Sequence, residues 1–507
     1  MGEQKYYLGL DIGTDSVGYA VTGEDYALKK FRGEPMWGAM RFDGAADASG
    51  RRAYRTARRR LDRRQQRVRL LGELFAGEIG AVDPNFFIRR SESALCREDT
   101  SCGVRLFEGG ALTDEDYHRA YPTIHHLIVD LMNSDEPHDV RLVYMACAWL
   151  VAHRGHFLLD ISSNDVSKLS DFSEAYREMK DYLEGDRESG FPWHTEDPDR
   201  EAEVLLSILQ KETGSRKKEE EIRNKLLQGK KPAEKSEEEA PYSEMALIRL
   251  LAGGTVEPQK LFGKEAYAGY DKVSLEEGDE EFDRTAGELE EEDGELLRQL
   301  RNLYNCARLN GMMNGKSSIS AGKVETYNQH KRDLSLLRDI VKKYIPDQYG
   351  SIFRDGTVAN NYVFYSGNRQ WVSGYTKAAK GKAAAGSEDS EENGGGNSSK
   401  KKKASADAKA AFCDFLKKKL KDLPVNEEDR ERYDEMMRRI EAHTFLPKQR
   451  EGDNRVIPHQ LYRRELEILL QKAQAYTPFL KEPDAEGRTV SEKILAIFDF
   501  RIPYFVG

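Results

Sequence analysis

Apolar residues are spaced for strands only at the start of this chain, and beyond residue 50 the spacing is helical almost throughout. Lys5 to Asp11 (KYYLGLD) and Ser16 to Thr22 (SVGYAVT) read as strands joined by the tight turn Ile12-Gly13-Thr14-Asp15, with Met36 to Phe42 as a third candidate. From Arg51 to Arg69 neither Gly nor Pro interrupts a run of good helix formers. At ~100° per residue Ala53, Tyr54, Ala57, Leu61 and Val68 fall in one narrow seam, the docking side of a helix roughly 28 Å long. Helices follow at GELFAGEI, 121–132 and 139–159, the last apolar around most of its circumference and so buried. From about Asn164 to Asn310, EAEVLLSILQKE and GELLRQLRNLYNCARL predict a helical insertion, with a loop at 230–241. Helices resume from Gly311 (VETYNQHKRDLSLLRDIVKKYI). The stretch from Thr376 to about Ala410, rich in Gly, Ser, Ala and charge and without aromatics, reads as a disordered insert. AAFCDFLKKKLKDL and ERYDEMMRRIEAH return to helix.

Composition adds bounds. A length of 507 residues implies two to four domains, and 33% charged with 38% hydrophobic residues describes a soluble, helix-leaning protein. No apolar run is long enough for a bilayer and the N-terminus has no secretory core, so no membrane partner and a cytoplasmic location are expected. MGEQKY has Tyr at position six and misses the myristoylation pattern. Cys96, Cys102, Cys147, Cys306 and Cys413 are scattered and odd in number, without a CxxC pair, which fits reduced thiols and no zinc.

Charge changes the picture more. Ten of the nineteen residues from Arg51 to Arg69 are arginine and one, Asp62, is acidic. That stretch carries +9 in a chain of net charge −10, leaving −19 elsewhere (−10 minus +9). A solvated helix laced by ion pairs is excluded by one acid among ten arginines, because like charges at i,i+4 repel and need an outside partner, a nucleic acid or else an acidic protein surface. Guanidinium forks pair bidentately with phosphate, and the steps Arg51, Arg55, Arg59, Arg63, Arg67 rise ~6 Å each, close to the phosphate repeat of a nucleic-acid strand. Asp11, at the end of the first strand, has three readings. It is a metal-ligating carboxylate at a sheet edge as in ribonuclease H-type folds, part of a phosphate-cradling D-x-G-T turn as in actin-like ATPases and sugar kinases, or the cap of a hairpin turn. Tyr327 and His330 lie three apart on one helical face beside Lys331, a pattern suited to base stacking and phosphate contact. Arg154 next to Gly155 suits close backbone approach to a phosphate.

LGLDIGTDSVGYAV, followed about forty residues later by RTARRRLDRRQQRVRLLGELF, resembles the start of the RNA-guided DNA endonucleases of type II CRISPR systems. The likeness continues at YPTIHHLIVDLM from Tyr121, LVYMACAWLVAHRGHFLL from Leu142, TFLPKQREGDNRVIPHQL from Thr444 and EKILAIFDFRIPYFVG from Glu492. A sugar kinase has no place for the arginine helix, so the joint occurrence decides against it.

The resemblance implies a mainly α chain, a helical recognition lobe plus an arginine-rich bridge helix, preceded by a small β segment of an incomplete ribonuclease H-like (RuvC) domain. Its expected divisions are a first RuvC-like segment (1–49), the bridge helix (50–71), a first recognition subdomain in two parts (72–163 and 311–507, with the disordered insert 376–410) and a second recognition subdomain (164–310). It implies Asp11 as a Mg²⁺ ligand and catalytic carboxylate, and Arg51, Arg52, Arg55, Arg58, Arg59, Arg63 and Arg67 as contacts to the guide. Arg154 would touch the guide RNA, Arg450 and Asn454 its repeat-derived duplex, and Arg501 and Tyr504 the guide–target hybrid. The partners would be guide RNA (crRNA and tracrRNA) and a target DNA strand held as an RNA–DNA heteroduplex by a monomer in a bacterial cytoplasm. The family's second and third RuvC segments, HNH nuclease and PAM-reading domain have no counterpart among these residues, so a chain of this extent is expected to bind guides without cutting. The alternatives are an actin-like ATPase or sugar kinase with a D-x-G-T phosphate loop, using the arginine helix as a partner-docking element, and a stand-alone RNA-binding module.

Overall fold

A computed structural model describes residues 5–13, 15–42, 48–92, 104–107, 112–156, 170–185, 190–193, 197–229, 242–367, 397–449 and 451–501. The chain divides between Arg64 and Gln65 into two units. The first is built on a three-stranded antiparallel sheet of order β1-β2-β5, with β1 at Tyr7–Ile12, β2 at Ser16–Thr22 and β5 at Trp37–Arg41. All three lie where the sequence places strands. A short ribbon, β3 at Lys30–Phe31 with β4 at Glu34–Pro35, was not expected. The register sorts the two faces. Leu8, Leu10 and Ile12 share one with Val17, Tyr19, Val21 and Met40, while Asp11 shares the other with Gly9, Gly18, Ala20 and Ala39. The apolar face is largely uncovered, with Leu8 55%, Ile12 73% and Met40 73% exposed. An open three-stranded sheet without a covered face is marginal in water, as the incomplete-sheet expectation requires.

Helix α1 (Ala48–Val82) is longer than the expected 50–71 element. Its 35 residues span about 52 Å and absorb GELFAGEI. Gly72, Gly77 and Gly80 each cost roughly 1 kcal/mol of helix propensity. Leu71, Phe75 and Ile79, spaced i, i+4, i+8, are fully buried and offset that cost. The predicted docking seam is corrected at three positions, since Ala57 is exposed and Tyr54 is 71% and Leu61 51% exposed, whereas Val68 packs on the core.

Among its described residues the second unit has three apolar clusters. One joins Leu71, Phe75 and Ile79 to Leu127, Leu131, Val143 and Leu150 and to Leu466, Leu469, Ile494 and Phe498 from the far end of the chain. The second lies wholly within Phe172–Ala307, so the acidic insertion carries its own core. The third runs from Leu337 and Ile340 through Phe412 and Leu416 to Met436, Ile440 and Phe445. Residues 311–507 thus contribute to two bodies.

Two expectations need correction here. The helix expected at 139–159 is Val140–Ala152. Gly155 has φ +77°, and a Cβ there would lie 2.3 Å from the Ile457 carbonyl oxygen. The close approach for which a glycine is needed is therefore to this chain's own backbone. The helix Asn397–Leu420 occupies the last part of the stretch expected to be disordered. Within it Lys409 is 2% exposed and donates to the Tyr365 hydroxyl (3.1 Å) and to the Phe445 and Leu446 carbonyls, with Glu212 of the insertion 3.5 Å away. Composition spoke for disorder, but packing of Phe412 and Cys413 decides otherwise.

Candidate nucleic-acid interface

The first turns of α1 carry the densest charge. Arg51, Arg55, Arg58 and Arg59 are exposed and Arg63 is half-buried. Among the described residues none of these five has an acidic partner, whereas Arg69 pairs with Glu73 at 3.3 Å. The Arg52 side chain lies outside the described residues. Stacked guanidinium groups one turn apart repel by a few tenths of a kcal/mol per pair. The helix keeps them in register and supplies no counter-charge.

Arg67 and Arg154 are anchored in protein. Arg67 Nε donates to the Val151 carbonyl at 3.3 Å. Arg154 Nη1 donates to the carbonyls of Phe498 and, at 2.8 Å, Phe500, covering the C-terminal end of the helix Val490–Asp499, where a cation is favoured. Burial, with the neighbouring charges of Arg67 and Arg501, pushes the Arg154 guanidinium down to about 10. Arg154 is thus within electrostatic reach of both Arg67 and the exposed Arg501, residues from three distant stretches. The nearby acid, Asp499, is held by Arg463 at 2.9 and 3.1 Å. A cluster of cations competing for one acid is attractive to a phosphate.

A second group forms on the helix Ile319–Tyr344. Tyr327 is half-buried, edge-on to the His126 ring at 5.1 Å, with Lys331 Nζ 5.5 Å from its centroid. His330 is different. Its Nδ1 lies 2.9 Å from the Pro447 carbonyl and its Nε2 3.1 Å from the Tyr362 hydroxyl. A carbonyl only accepts, so Nδ1 carries the proton and Nε2 accepts from Tyr362. Both nitrogens are therefore engaged, burial lowers the ring's pKa, and the phosphate contact expected of His330 has no donor here. Asn454 is exposed, its Oδ1 accepting from Lys323 Nζ at 2.8 Å. Arg450 and Tyr504 lie outside the described residues.

Beneath Asn454 is a buried polar network that sequence reasoning missed, because nothing in the sequence marks a lysine or glutamate as interior. Glu465 accepts from the Ser320 amide (2.8 Å) and hydroxyl (2.6 Å), and Ser320 Oγ is 3.1 Å from His125 Nδ1. Burial pushes the Glu465 carboxyl up to about 7, against the lowering effect of the Ser320 bonds and the Lys323 charge. The folded-state pKa lies above the ordinary 4.5, so the fold favours the protonated acid. That contribution is fully present below pH 4.5 and is lost as pH rises through about 7, a difference of about 3 kcal/mol. Glu465→Gln is expected to be as stable as the parent near pH 4 and about 3 kcal/mol more stable at pH 8. Urea titrations across that range check it, and parallel pH profiles would contradict it.

Asp11 is exposed on the edge strand β1, within the strand and directly opposite Gly18. Asp15 pairs with Arg41 at 3.4 Å. Among the described residues no group of three or more His, Cys, Asp or Glu gathers to hold a metal ion, so Asp11 offers one oxygen ligand and these residues do not by themselves make a Mg²⁺ site.

Residues 51–83 match the family model of the bridge helix of CRISPR-associated endonuclease Cas9, and residues 194–395 and 384–507 match that of its REC lobe. The chain belongs to the Cas9 family. The Cas9 bridge-helix match ends at residue 83, one beyond the observed end of α1 at Val82, and so takes in the buried half of that helix. CRISPR-associated endonucleases Cas9 of Listeria innocua and Streptococcus mutans are each 30% identical over the whole of this chain. The chain spans about a third of the length of these curated relatives, 34% in each case. These matches fit the N-terminal region of Cas9, with the recognition lobe and bridge helix expected from the sequence, and give the ATPase reading no support. Among the described residues no helix is long and apolar enough to cross a membrane.

Proposed function

We propose that this chain is the part of a Cas9 endonuclease that grips the guide RNA, crRNA with tracrRNA, and holds the guide–target DNA heteroduplex by its backbone, working as a monomer in the bacterial cytoplasm. The observation that carries the reading is the set of five α1 arginines without an acidic partner among the described residues. The bridge arginines would pre-order guide nucleotides and lower the entropy cost of pairing with target. Arg67, Arg154 and Arg501 would share one backbone segment, and Tyr327 would stack on a base. Asn454 and Arg450 would face the repeat-derived duplex and Tyr504 the hybrid. Asp11 would supply one ligand to the Mg²⁺ of a RuvC-type nuclease, and Mg²⁺ there would activate water for phosphodiester hydrolysis.

Purified 1–507 is expected to bind guide RNA with an affinity that falls steeply with salt, and with Mg²⁺ and a matched guide to leave DNA uncut, since one carboxylate does not position two ions. Gel assays of binding and cleavage test both. Programmable cutting would overturn the second expectation, and no RNA binding at low salt would overturn the first.

A further inference from the structure

Lys323, on the helix Ile319–Tyr344, is buried with its ammonium 5.8 Å from the ring centroids of both Trp149 and Tyr462. Its Nζ donates to Asn454 Oδ1 at 2.8 Å and to the Tyr462 hydroxyl at 3.1 Å. Its main-chain carbonyl accepts from Gln449 Nε2 at 3.1 Å. An ammonium can only donate and a carbonyl can only accept, so these contacts fix two amide orientations that would otherwise be ambiguous. Asn454 turns its oxygen inward and leaves its NH₂ group for an outside partner. Gln449 turns its NH₂ inward and leaves its carbonyl. Both residues are exposed. The Lys323 ammonium thus sets a donor at 454, and the main-chain carbonyl of the same residue sets an acceptor at 449.

We propose that Lys323 is a positioning residue that adapts this strip to the ribose side of an RNA strand, with Asn454 donating to a ribose or phosphate oxygen and Gln449 accepting from a 2′-hydroxyl. The inference rests on the reading of the chain as an RNA-holding protein and adds the polarity of the contact. An outward carbonyl is repelled by phosphate oxygens but pairs with a hydroxyl, so the Gln449 end favours sugar over phosphate. A DNA strand has no 2′-hydroxyl to offer it. The ion–ring contacts and the Tyr462 bond hold the ammonium in place whether or not RNA is bound, so the strip is set before the ligand arrives.

The test uses the 507-residue chain with a fluorescein-labelled RNA hairpin and a DNA hairpin of the same sequence, read by anisotropy, with Tm recorded for each variant. Asn454→Asp keeps an oxygen against Lys323 and gains an ion pair there, so Tm does not fall. It turns an acceptor outward, and RNA affinity drops about tenfold. Gln449→Leu weakens RNA binding by about threefold to fivefold and leaves DNA binding unchanged. Lys323→Met weakens RNA binding about tenfold in the parent but adds nothing in an Asn454→Leu/Gln449→Leu background, whereas a pillar with a purely structural role would cost the same in both. Unchanged RNA affinity in Asn454→Asp, with Tm intact, overturns the proposal while leaving the functional reading in place. A parent chain that binds neither hairpin overturns both, and does so before any variant is made.

Discussion

Replacing Arg51, Arg55, Arg59 and Arg63 together by glutamine is expected to weaken guide-RNA binding by roughly a hundredfold or more at physiological salt. It should also flatten the log–log salt dependence by about three units. Each phosphate contact contributes roughly 0.7–0.9 to that slope through counterion release, so four lost contacts set the size of the change. The same substitution should leave stability unchanged or slightly higher. Three of the four are exposed, none has an acidic partner among the described residues, and like charges one turn apart repel. Glutamine has nearly the same helix propensity, so α1 keeps its form. The pairing of a large loss in affinity with no loss in Tm separates a binding surface from a structural one. Anisotropy at several salt concentrations with a parallel melting curve measures both. An unchanged slope would remove these arginines from the footprint.

What could be read from the sequence follows from the range of the interactions involved. The strands at Tyr7–Ile12, Ser16–Thr22 and Trp37–Arg41 were legible because a glycine turn and runs of β-favouring residues are local signals. The arginine rod was legible because charge density needs no tertiary context. The helix at GELFAGEI was legible too, but its continuity with the rod was not, since Gly72, Gly77 and Gly80 weaken the helix locally and are overruled by Leu71, Phe75 and Ile79 packing on residues as distant as Phe479 and Leu480. The end of the expected disordered insert failed for the same reason. Lys409 reads as a solvent-facing lysine until the carbonyls of Phe445 and Leu446 are placed around it.

The candidate site divides in the same way. Exposed arginines on one uninterrupted helix are legible from composition alone. Arg154 and His330 do not, because what each touches inside the protein, the Phe498 and Phe500 carbonyls for one and Pro447 with Tyr362 for the other, comes from elsewhere in the chain. Lys323 was invisible for the complementary reason. Its effect is exerted through the amides of Gln449 and Asn454, more than a hundred residues away.

Arg439→Met is expected to destabilise the helical lobe by about 3–4 kcal/mol. Asp333 is 2% exposed and takes both Arg439 guanidinium nitrogens at 2.7 Å, one on each oxygen. It also accepts from the Leu446 amide at 2.8 Å and from Gln329 at 2.7 Å. A buried carboxylate stripped of its cation bears the cost of desolvation without compensation, and this exceeds what the pair contributes relative to an apolar substitute. The turn it holds is itself strained, since Leu446 and His443 sit at φ 53° and 57°, where side chains are disfavoured. That turn presents the Phe445, Leu446 and Pro447 carbonyls to Lys409, Tyr365 and His330, so its release would loosen four further hydrogen bonds. Arg439→Met with Asp333→Leu should recover part of the loss, because the unpaired charge goes with its partner, although the Leu446 amide stays unsatisfied. Denaturant melts of the single and double variants measure the two terms. A loss below about 1 kcal/mol in Arg439→Met would mean that the amides of Leu446 and Gln329 suffice to hold Asp333.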